Sequence, residues 1–256
     1  HRSAIGCPAA LFANEGGGHE LRVNIIMART PKSGPTSRDP RASRRMAVRV
    51  KDKSKSHSSR EWLKRQLNDP YVAAAREQGL RSRAAFKLMG LDDKFNLLKP
   101  GTHILDLGAA PGGWSQIAAR KIGAKGRVLA TDILEMEPLA GVEFLQLDFL
   151  EVGADDKILA ALGGDVDLVL SDMAGNTTGH RPTDHLRIIA LAEAAYDLAA
   201  RVLRKKGAFV CKVLQGGTEA ELLKRIKTDF SEVRHAKPPA SRADSAETYI
   251  VAKGRK

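Results

Sequence analysis

The stretch Asp106-Leu-Gly-Ala-Ala-Pro-Gly-Gly-Trp-Ser115 decides the fold of this 256-residue chain. The apolar run Thr102 to Leu107 leads into it as a buried strand, and a helical pattern from Trp114 to Lys121 follows it. A glycine-rich turn between a strand and a helix lets the backbone approach a ligand, and it presents free N–H groups at the helix start. The stretch therefore predicts a ligand-binding turn at the end of a buried strand.

The turn has the pattern G-x-x-x-G-G, formed by Gly108, Gly112 and Gly113. It lacks the G-x-G-x-x-G fingerprint of dinucleotide-binding turns and the Lys-Ser/Thr pair of a phosphate-binding loop. Asp132 ends the next apolar run, 19 positions after Gly113, which is about the separation at which an acid meets a nucleotide ribose. This order predicts a nucleoside cofactor site, and the missing fingerprint favours S-adenosylmethionine over NAD. The alternative is a tight turn that only permits close packing of strand and helix.

Basic charge is concentrated near the start of the chain. The formal net charge is +12, and residues 1–60 hold 13 Lys and Arg against 4 Asp and Glu. Residues 1–57 are rich in Gly, Pro, Ser and basic residues without periodicity, so we expect a disordered arm before a domain over residues 58–256. A basic arm favours a polyanionic partner such as RNA, and the alternative is a solvated tail. The candidate phosphate contacts of the arm are Arg44, Arg45, Lys51, Lys53 and Lys55.

The cysteine, histidine and apolar content argues against a disulfide-bonded, a metal-binding or a membrane-spanning protein. Cys7 lies in the predicted arm and Cys211 in an apolar run, so we expect no disulfide and a reducing compartment. The 7 histidines are scattered rather than clustered as metal ligands would be. No apolar run approaches the ~20 residues needed to cross a bilayer. We expect a cytoplasmic monomer that binds neither a metal nor a membrane.

Short apolar runs alternate with helical patterns through the remainder of the chain. We predict strands at Thr102–Leu107, Arg127–Asp132, Val142–Leu147, Val166–Ser171, Ala208–Val213, Glu232–His235 and Thr248–Lys253. We predict helices at Ser59–Leu67, Tyr71–Gly79, Ser82–Phe95, Gly113–Ile122, Asp156–Leu162, Thr183–Val202 and Thr218–Phe230. The alternation is typical of an α/β, Rossmann-like fold, with a seven-stranded and mostly parallel sheet and helices on both faces. The last two strands have no helix between them, so we expect an antiparallel pair at one edge.

Polar residues lie at or just after the carboxyl ends of the first five predicted strands. They are Asp106, Asp132, Asp148, Asp172 and Lys212. Ligands of open α/β sheets bind beyond these strand ends. Asp148 is suited to accept a hydrogen bond from an adenine amino group, or else caps a turn. Lys212 interrupts an apolar strand and would be a tunable base beside an aspartate; its alternative is a lysine that reaches solvent from an edge strand.

Six segments in order resemble the RrmJ/FtsJ family of S-adenosylmethionine-dependent ribose 2′-O-methyltransferases. They are Gly79-Leu-Arg-Ser-Arg-Ala-Ala-Phe-Lys87-Leu, Asp106 to Ser115, Gly141-Val-Glu-Phe-Leu-Gln-Leu-Asp148-Phe, Ser171-Asp-Met-Ala, Lys212-Val-Leu-Gln-Gly and Glu247-Thr-Tyr-Ile-Val-Ala. The resemblance covers about Ser58 to Lys256 and is strongest to members that act on a uridine of large-subunit (23S) ribosomal RNA. The chain departs from the family at Gly175, where a proline is usual.

The resemblance implies a role for each matching position. The family's catalytic Lys-Asp-Lys-Glu tetrad falls on Lys87, Asp172, Lys212 and Glu247. Spacing alone would make Lys87 and Glu247 ordinary surface charges. The expected cofactor residues, from the turn pattern and the resemblance together, are Asp106, Gly108, Gly112, Gly113, Trp114, Asp132, Asp148 and Asp172. Arg81 and Arg83, in the segment that carries Lys87, are expected to contact RNA phosphates.

The implied activity is S-adenosylmethionine-dependent 2′-O-methylation of ribosomal RNA in support of ribosome assembly. Three alternatives stay open: a transfer RNA 2′-O-methyltransferase, a non-catalytic RNA-binding assembly factor, and an NAD-dependent oxidoreductase. The complete tetrad weighs against the non-catalytic protein, and the absent G-x-G-x-x-G pattern weighs against the oxidoreductase. The absence of a large extra domain favours a ribosomal substrate by analogy with the family.

Overall fold

The computed structural model of the protein describes residues 23–24, 49–50, 57–175, 180–215 and 220–256. Within the predicted arm it describes β1 (Val23–Asn24) and β2 (Arg49–Val50), which pair antiparallel. Cys7 and the five candidate phosphate contacts of the arm lie outside the described residues. None of the helices in the described part of the chain combines the length and the apolar character of a membrane-spanning segment.

Seven helices and seven further strands follow along the described part of the chain. The helices are α1 (His57–Leu67), α2 (Pro70–Glu77), α3 (Ala85–Phe95), α4 (Gly113–Ile122), α5 (Ala154–Leu162), α6 (Arg181–Val202) and α7 (Ala220–Asp229). The strands are β3 (His103–Leu107), β4 (Arg127–Asp132), β5 (Val142–Gln146), β6 (Val166–Ser171), β7 (Leu203–Leu214), β8 (Phe230–Ala236) and β9 (Glu247–Arg255). Every predicted strand and helix is therefore present, with bounds that differ by a few residues.

The strands β3 to β9 form one sheet in the order β5-β4-β3-β6-β7-β9-β8. The first five of these neighbours pair in parallel, and β9 pairs antiparallel with both β7 and β8. The predicted antiparallel pairing at one edge is confirmed, with β8 outermost and β9 inserted beside β7. The chain reverses direction across the sheet between β3 and β6, and ligands of such sheets bind in the crevice at this point.

Helices cover both faces of the sheet, as the apolar strands require. Alternate strand residues point to opposite faces: Ile104 belongs to the buried cluster that includes residues of α2, α3 and α4, and Leu105 belongs to the one that includes residues of α5, α6 and α7. Both side chains are buried, with 1% and 0% of their surface exposed. The fold is the predicted α/β, Rossmann-like architecture.

The largest difference from the predicted bounds is in β7, which begins at Leu203 rather than at Ala208. Leu203 pairs with Val166, and the register then shifts so that Ala208 pairs with Leu168. Residues 204–207 form the bulge between these two pairs. The sequence does not predict this pairing, because the bulge consists of three cations and a glycine and therefore lacks the apolar pattern of a buried strand.

Candidate active site

Four elements bring the predicted tetrad together at the carboxyl edge of the sheet. Asp172 follows the last residue of β6, and Lys212 lies near the end of the neighbouring strand β7. Glu247 begins β9 and pairs with Leu214 at the same edge, while Lys87 comes from α3. The sheet topology thus assembles residues that are as much as 160 positions apart in the chain.

The tetrad forms a continuous chain of alternating charges. Lys212 Nζ donates to Asp172 Oδ1 at 3.1 Å and to the Asp172 carbonyl oxygen at 2.6 Å. Lys87 Nζ lies 4.0 Å from Asp172 Oδ2 and donates to Glu247 Oε2 at 2.8 Å. Only 8% of the surface of each lysine is exposed. Two buried ammonium groups are therefore balanced by two carboxylates, which is the condition for burying such charges.

Asp172 is held in its ionised form. Burial pushes the pKa of this carboxyl upward, but Lys212, Lys87 and a hydrogen bond from Tyr249 outweigh it and leave the pKa below its ordinary value. The Tyr249 hydroxyl donates to Asp172 Oδ1 at 2.7 Å. Burial and the charge of Asp172 raise the pKa of Tyr249 well above its ordinary value, so this hydroxyl remains a donor.

Tyr249 and Ser241 complete the network, and neither was predicted as a site residue. Tyr249 pairs with Lys212 across β7 and β9, and it is two residues from Glu247 on the same face of β9. Because residues two positions apart on a strand share a face, this spacing from Glu247 could have indicated Tyr249 as a site residue. Ser241 lies in the β8–β9 loop, where its hydroxyl donates to Glu247 Oε1 at 2.8 Å. No pattern in the sequence points to this contact.

The glycine turn connects β3 to α4 as predicted. Gly108 and Gly112 have positive φ values of 74° and 98°, in the region that favours glycine. A Cβ atom at Gly108 would lie 2.4 Å from Met173 Cγ, and one at Gly113 would lie 2.2 Å from Ser82 Oγ. The glycines therefore serve both the turn conformation and close packing, which was the alternative interpretation of this stretch.

Asp132 and Asp148 both organise the loops at the carboxyl edge. Asp132 accepts hydrogen bonds from the backbone N–H of Ala110 in the glycine turn and of Leu134 in the β4–β5 loop, each at 2.8 Å. Asp148 is exposed and accepts from the N–H of Leu150 at 2.9 Å, so it caps a turn. Each carboxylate keeps further acceptor capacity, because an ionised carboxylate has about four lone-pair sites.

Asp106 lies inside the protein rather than on a surface. Only 1% of its surface is exposed; Oδ2 accepts from Ser115 Oγ at 2.6 Å, and Oδ1 has no hydrogen-bond partner among the described residues. Burial is the main reason that its pKa rises to about 7. The nearby charges of Asp172 and Asp132 raise this pKa further, whereas the Ser115 hydrogen bond lowers it.

Trp114 supports the site from within the core. Its indole N–H donates to the carbonyl of Ala84 at 2.9 Å, and its ring centroid lies 5.6 Å from that of Tyr249. With 2% of its surface exposed, the side chain packs against the residue that holds Asp172. Contact between Trp114 and a cofactor remains a prediction.

Arg81 and Arg83 bind groups within the protein. The Arg81 guanidinium donates to the carbonyls of Glu137 and Pro138, each at 2.6 Å, and to that of Pro111 at 3.3 Å. It thereby joins the glycine turn to the β4–β5 loop. Arg83 Nε lies 3.2 Å from the buried Asp69, and another guanidinium nitrogen donates to the Ala240 carbonyl beside Ser241. The sequence did not predict these internal contacts, and RNA binding by either arginine stays a prediction.

The described residues include no group of three His, Cys, Asp or Glu side chains that could hold a metal ion. Cys211, the cysteine that the structure describes, is buried, and burial raises the pKa of its thiol to about 12. The side-chain groups that the structure brings together around Asp172 are lysine ammonium groups, carboxylates and hydroxyls.

Comparison with known proteins places this arrangement in a family. The FtsJ-like methyltransferase family matches residues 80–255. A protein of Azorhizobium caulinodans named ribosomal RNA large subunit methyltransferase E is 58% identical over 226 residues, which are 87% of this chain and 93% of the relative. A protein of the same name from Xanthobacter autotrophicus is 56% identical over 229 residues, which are 88% of each.

A solved structure of a ribosomal RNA methyltransferase is also similar to this chain. It is described as a ribosomal RNA methyltransferase of Plasmodium falciparum, with 29% identity and a TM-score of 0.62, and the match covers 68% of this chain and 98% of that one. The family match spans the glycine turn and all four members of the tetrad. The resemblance found in the sequence is confirmed, and the chain belongs to the FtsJ-like methyltransferase family.

Proposed function

We propose that this protein transfers a methyl group from S-adenosylmethionine to the 2′-oxygen of a uridine ribose in large-subunit (23S) ribosomal RNA, in support of ribosome assembly. The observation that carries the proposal is the buried tetrad of Lys87, Asp172, Lys212 and Glu247 beside the glycine turn. Family membership supports methyl transfer, and the names of relatives above 50% identity support the ribosomal substrate.

The residues of the carboxyl edge fit S-adenosylmethionine. Asp132 offers carboxylate oxygens to the donor hydroxyls of a ribose, and Ile133 beside it is 59% exposed, which provides an apolar surface for a base. Asp148 follows the neighbouring strand β5 by two residues, and we propose that it accepts a hydrogen bond from an adenine amino group. Asp172, kept ionised, complements the positive charge of the methionyl part. Gly108 and Gly112 have no side chains of their own, so the turn backbone can adopt the positive φ values that shape it.

The reaction is an in-line displacement in which the ribose oxygen forms a bond to the methyl carbon and loses its proton, while the bond from that carbon to the sulfonium sulfur breaks and S-adenosylhomocysteine leaves. When bound, S-adenosylmethionine supplies a methyl group that is already activated on a sulfonium. The chain must therefore hold the oxygen in line and manage its proton. Positioning contributes up to ~7–11 kcal/mol, whereas a general base contributes about 10²–10⁴-fold in rate, so we expect positioning to dominate.

Lys212 has the central role in this mechanism. Its Nζ uses two donor directions on Asp172, which leaves a third for the ribose oxygen. The nitrogen either accepts the 2′-hydroxyl proton as a neutral amine, or remains a cation that orients the oxygen lone pair and stabilises its developing negative charge. Glu247 holds Lys87 beside Asp172, and Asp172 keeps Lys212 in place in either case.

A 2′-hydroxyl acceptor requires RNA as the substrate. The target is a nucleotide in a loop or one extruded from its stack, since a ribose inside a duplex does not reach a recessed site. The basic arm, with Arg44, Arg45, Lys51, Lys53 and Lys55, is proposed to contact phosphates, and affinity should then fall steeply with salt. We propose that the protein acts as a monomer in the cytoplasm, where ribosomes assemble.

Methylation with labelled S-adenosylmethionine tests the proposal. Intact large subunits, free ribosomal RNA and transfer RNA are assayed in parallel, and the modified nucleotide is mapped. We expect label at a uridine 2′-oxygen of the large-subunit RNA. Lys212→Ala should lower kcat by about 100-fold or more with cofactor affinity retained, whereas Lys224→Ala on the exposed face of α7 should not. Label on transfer RNA alone, or near-normal turnover by Lys212→Ala, would contradict the proposal.

A further inference from the structure

A basic cleft lies at the amino edge of the parallel strands, opposite the candidate active site. It has a volume of about 400 Å³, and five cations and one acid are among its lining residues. These are Lys99, Arg204, Lys205, Lys206, Lys253 and Asp167. We call it the amino-edge cleft. Ala208, also in its lining, is four residues before Lys212 on β7, or about 13 Å along the strand. The cleft is therefore separate from the methyl-transfer site.

The positive charge of the amino-edge cleft is largely uncompensated. Asp167 is engaged by Arg204 Nη1 at 3.1 Å and by the backbone N–H of His103 at 2.8 Å. Among the described residues, no carboxylate lies within 4 Å of the ammonium groups of Lys99, Lys205 or Lys206, and all three side chains are exposed. Three cations thus converge on one cleft without acidic partners, which favours an anionic ligand.

Lys205 and Lys206 lie on a strained part of the backbone. Residues 204–207 form the bulge of β7, and Lys206 within it has a φ of 66°, in the left-handed region. A Cβ atom at Gly207 would lie 2.8 Å from the Arg204 carbonyl oxygen, so the bulge is tightly folded. A lysine in a conformation that favours glycine is a strained position, and strain of this kind points to a functional constraint.

We propose that the amino-edge cleft binds backbone phosphates of a second RNA segment while the target ribose occupies the active site. This inference rests on the proposed function for its substrate. An RNA backbone matches the cleft because it offers successive phosphates to successive cations, and because the lining holds five cations against one acid. Such contacts orient a large folded RNA without reading its sequence.

A double charge reversal tests the cleft. Lys205→Glu combined with Lys206→Glu is compared with Lys224→Glu combined with Lys227→Glu, which makes the same charge change on the exposed face of α7. Binding to large-subunit RNA, kcat, KM and cofactor affinity are measured. We expect at least about tenfold weaker RNA binding for the cleft variant only, with unchanged cofactor affinity and unchanged kcat at saturating RNA.

The salt dependence gives an independent readout. Loss of two phosphate contacts should lower the slope of log affinity against log salt by about 1.4–1.8. Between about 50 and 200 mM salt, wild-type affinity should therefore fall roughly tenfold more than that of the cleft variant. Lys206→Gly removes one cation and supplies the residue that this backbone favours. It should bind RNA more weakly while its melting temperature is unchanged or raised.

The outcomes separate this inference from the proposed function. If the cleft variant binds RNA as tightly as the α7 control, the cleft is not an RNA site, even if the wild type methylates the large subunit. If the wild type methylates none of the RNAs, the proposed function fails, and the comparison of RNA binding between the two variants still decides the cleft. If Lys206→Gly binds RNA more weakly and is also unfolded, the argument that the Lys206 backbone is strained would be contradicted.

Discussion

The substitution Asp172→Asn isolates the charge at the centre of the tetrad. The side chain keeps an oxygen for the Tyr249 hydroxyl, which is 2.7 Å away, but loses the charge that faces Lys212 at 3.1 Å and Lys87 at 4.0 Å. Removing one partner of a buried ion pair costs about 3–5 kcal/mol. Because 16% of the Asp172 side chain is exposed, we expect the lower end, about 3 kcal/mol. This corresponds to a fall of roughly 6–12 °C in Tm.

Urea denaturation from pH 7 down to about pH 3 measures this loss, with methylation assayed in parallel. The folded pKa of Asp172 lies below its ordinary value of 3.8, so its charge stabilises the fold above that pH and the contribution is lost as pH falls through the folded pKa. The difference between wild type and Asp172→Asn should therefore narrow in acid. Turnover and cofactor affinity should both fall.

The exposed pair of Glu232 with Arg234 supplies a control, since Glu232→Gln should change stability by less than about 1 kcal/mol. A loss below about 1 kcal/mol for Asp172→Asn at pH 7 would refute the account of the tetrad as a mutually dependent charge network. So would a difference between the two proteins that stays constant as the pH is lowered.

Three further substitutions test the surroundings of the tetrad. Arg81→Ala releases the β4–β5 loop from the glycine turn, so it should raise KM for S-adenosylmethionine about tenfold with kcat retained. An unchanged KM in steady-state kinetics would contradict this. Ser241→Ala removes the hydrogen bond to Glu247 and should lower kcat about tenfold, while calorimetry should detect normal cofactor binding. Asp106 has a pKa raised to about 7, so its ionisation opposes folding as pH rises from 3.8 to 7. Asp106→Asn should therefore gain up to roughly 4 kcal/mol of stability relative to wild type across that range, and a constant difference in urea denaturation would refute the assignment.

The sequence was sufficient for the sheet and for the location of much of the candidate site. Strands such as β4 and β6 match the predicted bounds because short apolar runs between helices are a local signal of buried parallel strands. The acids Asp132 and Asp148 were found because their positions after those runs follow from the chain direction in a parallel sheet. Lys87 and Glu247 were found through the family resemblance, since their spacing alone gave no signal.

Tertiary structure decided what the polar side chains contact. Arg81 and Arg83 have the composition of an RNA-binding segment, yet their guanidinium groups bind carbonyls and a carboxylate within the protein. The pairing of Ser241 with Glu247 depends on the path of the β8–β9 loop, which no periodicity describes. Likewise, the cations at residues 204–206 have a common surface only because the β7 bulge turns them toward the cleft.

The sequence by itself determined the succession of strands and helices along the chain, the glycine turn and the acids that follow the strands, because each depends on a pattern within about ten positions of the chain. The tertiary structure decided that Asp172 would lie between Lys212 and Lys87 and would stay ionised despite its burial. The physical reason is that an ion pair depends on the distance between side chains and on their exposure to water, which are set only when distant elements pack together.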